Sequence, residues 1–520
     1  MTATEDNGSS ATLTAQTLRG AKWTYLATFL NAGLQVIITA VLARLLAPEA
    51  FGLVAMGSLV LRFGQYFAQM GIGQALVQRR NLTDDHVRAG FSTSAAVGAV
   101  FAAAVWFGAP LAAAAFDAPR LTNVVRVMGL SFFISGLSLT ALGLLRREMR
   151  FRGIALAEVS AYVVGYAAVG ITMAFTGFGV WSLVAAALSQ SVVAAAVYNV
   201  LARPHMRPVF KRRAYTELLG FGSRVTAISF LEFITANLDT MVVGRVQGAT
   251  PLGYYSRALS LTGIPMYYMG SSLTRVLYPS LSRVQDERAR LGRAYVSIMA
   301  VLAGIGLPVA FGMSGASREI ILVLYGAKWA AAIPVMRVVA IAAGLAMLSH
   351  LGGVLLEATA QLRDKLLMRT GQLAFFAAVL FGLGRFGLVG YAFAFALSEA
   401  VLHGLMAWRV ASFGGILAAD MARAYWPGTA GGILLLGCLY GESRLAVAWG
   451  TPAAAILAVQ VVTGVVILGL VVLRFGHGRV FAVLDERIGP TIKRQGVRRA
   501  FDIARAMSGT AGNEPHEEGS

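Results

Sequence analysis

The chain has few charged residues and a single cysteine. Only 13% of its 520 residues are charged, whereas soluble domains carry about 25%. The deficit extends along the whole chain and excludes an ordinary soluble globular protein. Cys438 stands alone, which excludes a disulfide framework and a cysteine-based metal site. The sequence also lacks a Walker loop, a His-Glu-x-x-His motif and a complete dinucleotide fingerprint, so no familiar enzyme or cofactor motif is present.

Most of the chain consists of long apolar segments. Apolar residues make up 57% of the chain, and runs of about 20 of them recur from Trp23 to Leu473, each long enough to cross a hydrocarbon core about 30 Å thick. Membrane β-strands are shorter and alternate in polarity. Because lipid leaves backbone groups no water to bind, long continuous apolar runs become helices. The sequence therefore predicts an all-α integral membrane protein.

The apolar runs predict about fourteen transmembrane helices with short connections and no inserted soluble domain. The predicted spans are 23–43, 51–75, 90–115, 123–145, 154–176, 180–201, 218–243, 254–278, 295–315, 331–354, 367–384, 387–408, 425–441 and 452–473.

The distribution of Lys and Arg predicts the orientation. Of the 44 basic residues, 31 fall on one predicted side, 9 on the other, with Arg257 counted among these, and 4 inside spans. The positive-inside rule therefore predicts that both termini are cytoplasmic. The net charge of +19 is distributed as membrane topology requires, so it does not indicate nucleic-acid binding.

The two tails are the only long segments predicted outside the membrane. Residues 1–18 are polar and lack the basic start and apolar core of a signal peptide, which predicts a disordered cytoplasmic tail. Residues 475–520 form a basic cytoplasmic tail that mixes apolar and cationic side chains. Such a segment either lies on anionic membrane lipid or is solvated.

A short internal repeat divides the chain. Residues Arg44–Leu53 match Arg245–Tyr254 at a shift of 201 residues, and each segment places an Arg, a Pro and a Gly at a predicted outer hairpin. A unit of six spans would give two lobes, 19–213 and 214–415, of equal orientation, with two extra helices in 416–474. Parallel repeats of this kind are a transporter architecture. Chance similarity between apolar hairpins is the alternative.

Polar side chains at helical spacing form stripes inside the first two spans. These are Asn31, Gln35 and Thr39 in span 1, and Arg62, Gln65, Tyr66 and Gln69 in span 2. Intramembrane polar groups usually face a cavity or a partner. The stripes therefore predict either a cationic substrate-binding wall or amides that hydrogen-bond between packed helices.

Other ionisable residues give further candidates. Arg224 and Arg275 lie near predicted cytoplasmic ends, where a guanidinium either binds phosphate or extends to the interface. Span 7 carries Glu232 and Asp239, and span 12 carries Glu399 and His403 at i, i+4. These four side chains are candidates for a coupling-ion site or for structural charge pairs. No metal site is predicted.

Several segments, in order, resemble one transporter family. They are Arg44–Leu53, Gly71–Gln78, Arg146–Arg152, Gly177–Trp181, Asn237–Asp239 with Gly244–Arg245, Leu252–Tyr255 and Tyr325–Trp329. In these segments the chain resembles the exopolysaccharide, colanic-acid-type members of the polysaccharide transporter family. That family lies within the multidrug/oligosaccharidyl-lipid/polysaccharide flippase superfamily. The resemblance extends from Arg19 to about residue 400.

The resemblance implies a fold and a cargo. It implies two six-helix lobes in a V that opens alternately to each side of a bacterial inner membrane. It also implies an undecaprenyl-diphosphate-linked oligosaccharide as cargo, flipped to the outer leaflet without enzymatic chemistry, with other polysaccharide assembly proteins as further partners. A cation-coupled small-molecule exporter, a membrane glycan polymerase or ligase, and a scaffold subunit are the alternatives. The polymerase would be expected to need a large outer loop, and no such loop is predicted.

The orientation can be tested with topology reporters. A reporter fused after residue 480 should be active in the cytoplasm, and one inserted between Ala118 and Arg120 should be active outside. The charge asymmetry of alternate loops is the reason for both expectations. Reversed activities would show that the orientation and the even number of spans are wrong.

Overall fold

The structure is a computed structural model that describes residues 30–68, 76, 79, 82–203, 226–282 and 287–476. Within these ranges fourteen long helical segments follow one another. They are α1 Leu30–Leu45, α2 Pro48–Ala68, α3 Asp84–Phe116, α4 Leu121–Arg147, α5 Phe151–Phe175, α6 Val180–Ala202, α7 Thr226–Gln247, α8 Ala249–Ser282, α9 Arg288–Gly315, α10 Ile333–Ala358, α11 Leu362–Leu383, α12 Gly387–Gly414, α13 Ala418–Ala448 and α14 Ala453–Gly476.

The fourteen segments coincide in order with the predicted spans, and the all-α membrane fold is confirmed. In the described part of the chain, nine helical stretches are long and apolar enough to cross a membrane, and one of them, Leu362–Gly414, runs through α11 and α12. Helices α2, α7 and α8 do not belong to that set. They carry Arg62, Asp239 and Arg257. Helix α1 is apolar but shorter than the others in its described part, and the candidates Glu399 and His403 lie in α12, within the set.

Two local features were not predicted from the sequence. A short helix, Ser317–Leu324, lies between α9 and α10, where the sequence predicts a loop. Helix α5 contains a π-helical segment, Val163–Gly170. Such wide turns insert a residue into the α-helical register and often occur at functional sites.

The described residues fall into two compact units. The first comprises the residues up to Pro265, Ser317–Val339 and Leu366–Leu402, and the second comprises Met266–Ala316, Ala340–Lys365 and the residues from His403 onward. This division follows local packing and not the predicted repeat. The lobe boundaries at 19–213 and 214–415 therefore stay a prediction.

Small residues allow close helix packing in the first unit. A Cβ added to Gly98 of α3 would lie 2.6 Å from the Phe132 carbonyl oxygen, and one added to Gly136 of α4 would lie 2.4 Å from the Ser94 carbonyl oxygen. The Ser94 hydroxyl donates to the Gly136 carbonyl at 2.8 Å. Packing through small residues and interhelical hydrogen bonds is typical of membrane helices.

The last two helices are part of the second unit. A Cβ on Gly428 of α13 would meet the Ala303 carbonyl oxygen of α9 at 2.1 Å. Between α13 and α14, the Gln460 amide donates to the Leu439 carbonyl at 2.9 Å, and the Thr463 hydroxyl donates to the Glu442 carboxylate at 2.8 Å. These buried polar contacts fix the register of two otherwise strongly apolar helices.

The two copies of the internal repeat contact each other reciprocally. A Cβ on Gly52 would lie 1.7 Å from the Ala249 carbonyl oxygen, and a Cβ on Gly253 would lie 2.0 Å from the Pro48 carbonyl oxygen. The shift of 201 residues that relates Gly52 to Gly253 also relates Pro48 to Ala249. Pro48–Gly52 and Ala249–Gly253, here called the hairpin crossing, therefore pack backbone to backbone through equivalent positions. This exchange supports the repeat as a structural fact and not a chance match.

The hairpin crossing predicts that alanine is poorly tolerated at both glycines. Gly52→Ala and Gly253→Ala should each destabilise the protein by about 1–3 kcal/mol, because the facing carbonyl belongs to a rigid helix start. Thermal unfolding in detergent measures the effect. Gly263→Ala on the same helix α8 is the matched control, since nothing lies within 4 Å of its Cβ position and helix propensity favours alanine. Equal melting temperatures for all three variants would disprove the close contact.

Candidate functional site

The segment Tyr325–Trp329 caps the C-terminal end of α1. The indole Nε1 of Trp329 donates to the Ala43 carbonyl at 2.8 Å, and the Lys328 ammonium donates to the Arg44 carbonyl at 2.8 Å. The last carbonyls of a helix have no partner within the helix. Gly326 makes the turn possible, since its φ of +93° favours glycine. The motif thus has a definite structural role.

Two arginines at equivalent repeat positions cap helices in a reciprocal manner. Arg44 donates through Nε to the Leu324 carbonyl at 3.2 Å, and its Nη2 donates to the Val323 carbonyl, at the end of the short helix that follows α9. Arg245, 201 residues later, donates to the Ala114 carbonyl at 3.1 Å, near the end of α3. Cations at helix C-termini are favourable because the carbonyl dipoles point at them. Each repeat copy therefore stabilises a helix end in the other half.

An aromatic cluster fills the space beside the hairpin crossing. Trp329 is fully buried. Its ring centroid lies 5.4 Å from Phe51, 5.8 Å from Tyr254 and 5.4 Å from Tyr325, mostly in the edge-to-face arrangements that aromatic pairs prefer. Phe51 and Tyr254 belong to the two hairpin helices. The indole therefore joins both repeat copies to the segment that caps α1.

The polar stripes of the first two helices are only partly described. On α2, Arg62 and Gln65 are exposed and lie on one helical face. On α1, Gln35 is half-buried, and the Asn31 Oδ1 is buried with no hydrogen-bond partner among the described residues. An unpaired carbonyl oxygen of this kind is costly unless water or a ligand reaches it. These four residues remain substrate-binding candidates.

The structure does not describe the side chains of five other candidate residues. Gln69 and Arg224 belong to segments that the structure does not describe. Tyr66, Glu232 and Arg275 have backbone positions in α2, α7 and α8, but their side chains are not described. Their predicted roles stay predictions.

Asp239 of α7 is a buried carboxylate with hydrogen-bond donors. Its side chain is 2% exposed. The Tyr255 hydroxyl of α8 donates to Oδ2 at 2.8 Å, and the Thr240 backbone N–H donates to Oδ1 at 2.7 Å. Charged groups are seldom buried unless they are hydrogen-bonded. Tyr255 is therefore a supporting residue for the candidate Asp239, and the sequence stripe on α7 alone did not reveal it.

Glu399 belongs to a network that also was not predicted. The Gln372 amide donates to Glu399 Oε1 at 3.0 Å, and Arg369 donates to Gln372 Oε1 at 3.1 Å. The sequence had suggested His403 as the partner of Glu399. In the structure the His403 ring packs against Tyr425 with centroids 5.5 Å apart, and its Nδ1 is buried without a partner. The described residues contain no group of three His, Cys, Asp or Glu side chains placed to hold a metal ion.

The comparison with known proteins identifies the family. The model of a family described as "Polysaccharide biosynthesis protein" matches residues 41–334, which is more than half of the chain and includes all residues of the hairpin crossing. The chain belongs to this polysaccharide biosynthesis family. The family assignment made from the sequence motifs is thereby confirmed.

Two relatives of known name and one solved structure show the extent of the likeness. The lipopolysaccharide biosynthesis protein WzxC of Escherichia coli is 24% identical over 396 residues, which cover 75% of this chain and 80% of WzxC. The succinoglycan biosynthesis transport protein ExoT of Rhizobium meliloti is 28% identical over 335 residues, which cover 64% and 68%. The lipid II flippase MurJ, in an inward closed conformation, has a TM-score of 0.69 at 12% identity and covers 88% of this chain and 98% of its own.

A substitution tests the Gln372 network. Gln372→Leu removes the only described donor to Glu399 and should destabilise the protein by about 1–3 kcal/mol, because a buried acceptor is left unsatisfied. Glu399→Gln is the matched control, since an amide at position 399 keeps a carbonyl acceptor for Gln372. Melting temperatures in detergent distinguish the two variants. A Gln372→Leu protein that melts with the wild type would show that water already satisfies Glu399.

Proposed function

We propose that this family member is a flippase for a lipid-linked oligosaccharide, with undecaprenyl diphosphate as the carrier, in a bacterial inner membrane. The observation that carries the proposal is the combination of a helical fold like that of MurJ, which is named as a lipid II flippase, with a guanidinium exposed deep within α2. ExoT is named as a transport protein, which supports transport as the family's activity. The glycan is moved unchanged, so no catalytic residue is assigned.

Arg62 is the proposed contact for the diphosphate. It lies fourteen residues into α2, or about 21 Å along the helix from its start. A charged side chain at such depth is costly unless it faces a cavity or a partner. Arg62 is exposed, and no described residue forms an ion pair with it. A guanidinium of this kind can bind phosphate oxygens with two parallel hydrogen bonds.

The proposed mechanism is alternating access with the termini in the cytoplasm. The hairpin crossing and the capping contacts close the predicted outer end. The cargo enters from the predicted inner side, binds along Arg62 and Gln65, and leaves when the crossing separates. Asp239 and Glu399, both buried on the first unit, interact electrostatically with each other and are the proposed coupling-ion candidates.

Substitution of Arg62 tests the function. Arg62→Ala should reduce transport at least about tenfold, since a charge-assisted hydrogen bond to phosphate is lost. Arg62→Lys keeps the charge without the planar fork and should reduce transport less. The measurement is the appearance of lipid-linked glycan on the outer leaflet of a strain that lacks the native transporter.

Arg423→Ala serves as the matched control. Arg423 is exposed and paired only with Asp420 one helical turn away, so its removal should leave transport unchanged. The amount of each variant in the membrane is measured in parallel. Normal transport by a well-expressed Arg62→Ala protein would refute the assignment of Arg62 to the cargo.

A further inference from the structure

Arg257 of α8 is a half-buried cation whose Nε donor finds no acceptor among the described residues. Its Nε is buried and has no hydrogen-bond partner. The guanidinium carbon lies 5.1 Å from the centroid of the Phe51 ring, and no described carboxylate pairs with it. A cation–π contact orients a guanidinium but accepts none of its N–H bonds. A buried donor without an acceptor calls for an explanation, such as an absent ligand or water.

Three tyrosines lie within electrostatic range of this guanidinium. Tyr162 and Tyr166 of α5 stack with centroids 4.9 Å apart and an interplanar angle of 23°. Both phenols interact electrostatically with Arg257, as does that of Tyr325. The cluster of Arg257, Tyr162, Tyr166 and Tyr325, here called the Arg257 cluster, thus combines one cation with several hydroxyl groups, which is a composition suited to an anion.

The backbone beneath the tyrosines is unusual. The π-helical segment Val163–Gly170 begins directly after Tyr162 and contains Tyr166. Its wider turns change the direction of the side chains that follow. In this register the two rings stack face to face, and their hydroxyl groups lie within electrostatic reach of the same guanidinium.

The Arg257 cluster lies close to the hairpin crossing. Arg257 is eight residues from the start of α8, or about 12 Å along the helix, whereas Arg62 lies about 21 Å from the start of α2. Both helices start at the hairpin crossing. Measured along these helices, Arg257 therefore lies between Arg62 and the closed end and is a second cation there. The sequence missed it because Arg257 was counted with the outer loops.

Phe51 connects the Arg257 cluster with the hairpin crossing and with Trp329. One side of the Phe51 ring receives the Arg257 guanidinium, and its edge contacts Trp329, whose indole caps α1. Phe51 also precedes Gly52 of the hairpin crossing. A guanidinium that turned toward a ligand would leave the aromatic ring on which it rests.

We propose that Arg257, Tyr162 and Tyr166 form a second binding site for the diphosphate of the cargo, and that binding there releases Phe51 and opens the hairpin crossing. The inference rests on the proposed function. The phosphate oxygens accept the N–H bonds that Arg257 cannot make in the closed state. A ligand that draws the guanidinium toward itself and away from Phe51 removes a contact of the closed state, so its binding shifts the population toward the open state.

Two measurements on the full chain in nanodiscs test the proposal, with farnesyl diphosphate as the probe. The first is affinity by calorimetry. Arg257→Gln should weaken binding at least about tenfold, as expected for loss of a charge-assisted hydrogen bond, and Tyr166→Phe should weaken it by a smaller factor. Arg126→Gln is the matched control. The Arg126 guanidinium also rests on an aromatic ring, with its carbon 5.6 Å from the Trp106 centroid, but Arg126 does not belong to the Arg257 cluster.

The second measurement is the distance between the two hairpins. Spin labels at Ala47→Cys and Thr250→Cys, both exposed positions beside the crossing, are introduced with Cys438→Ala, which removes the native cysteine. One short distance is expected without ligand. Farnesyl diphosphate should add a longer distance in the otherwise native protein and in the Arg126→Gln variant, but not in the Arg257→Gln variant.

Each other outcome contradicts a separate part of the proposal. Equal affinity of the Arg257→Gln and native proteins would refute the second site and leave the proposed function intact. Weakened affinity with no ligand-dependent distance in the native protein would refute the link to opening. Equal binding of farnesol and farnesyl diphosphate would show that the lipid tail alone is recognised. Failure of the native protein to bind the diphosphate would refute the cargo assignment as well.

Discussion

Helix ends in a membrane protein must find partners for carbonyl groups that the helix itself cannot satisfy, and this constraint organises the closed end of the first unit. The final carbonyls of α1, of α3 and of the short helix after α9 each accept a hydrogen bond from a side chain distant in sequence. Where lipid or protein excludes water, such groups have no other partner. The contacts that close this end of the unit are therefore the same contacts that satisfy the helix-end carbonyls.

The same constraint makes closure reversible. At the surface, carbonyls that lose Arg44 or Arg245 can bind water, so separation exchanges one partner for another at a modest net cost. The buried networks around Asp239 and Gln372 differ in this respect. Their hydrogen bonds can be exchanged only if water or an ion enters the helix bundle. Rearrangement at the ends should therefore be easier than rearrangement at these deeper contacts.

Sequence patterns predicted the helices well and the site only in part. Apolar length fixes where a helix crosses a membrane, so all fourteen segments were found in order. Helical spacing placed Arg62 and Gln65 on one face for the same reason. Contacts between distant helices leave no such periodic trace. Nothing in the pattern around Asp239 indicates Tyr255, and nothing around Glu399 indicates Gln372.

Counting charges by loop also hid one residue. Arg257 is close in sequence to the predicted outer hairpin, and a rule based on loops treats it as exposed. Helix α8 begins at Ala249, so Arg257 lies two turns within the helix, and its guanidinium is aimed at aromatic side chains. The internal repeat was the more informative signal, since its two short segments contain Gly52 and Gly253, although the match alone does not show that these glycines face each other's hairpins.

The closing contacts have two kinds of physical origin, and ionic strength acts on them differently. At the hairpin crossing, Cα atoms of glycine face uncharged carbonyl oxygens, and dissolved ions hardly affect such contacts. The guanidinium of Arg245, whose side chain is 53% exposed, donates to a helix-end carbonyl beside solvent, and salt screens the charge–dipole part of that attraction within about 10 Å at 0.1 M. Concentrated electrolyte should therefore weaken the closed end partially but not abolish it. Across a wide range of salt, the glycine contacts of the hairpin crossing and the buried aromatic cluster around Trp329 would continue to hold this end of the unit together.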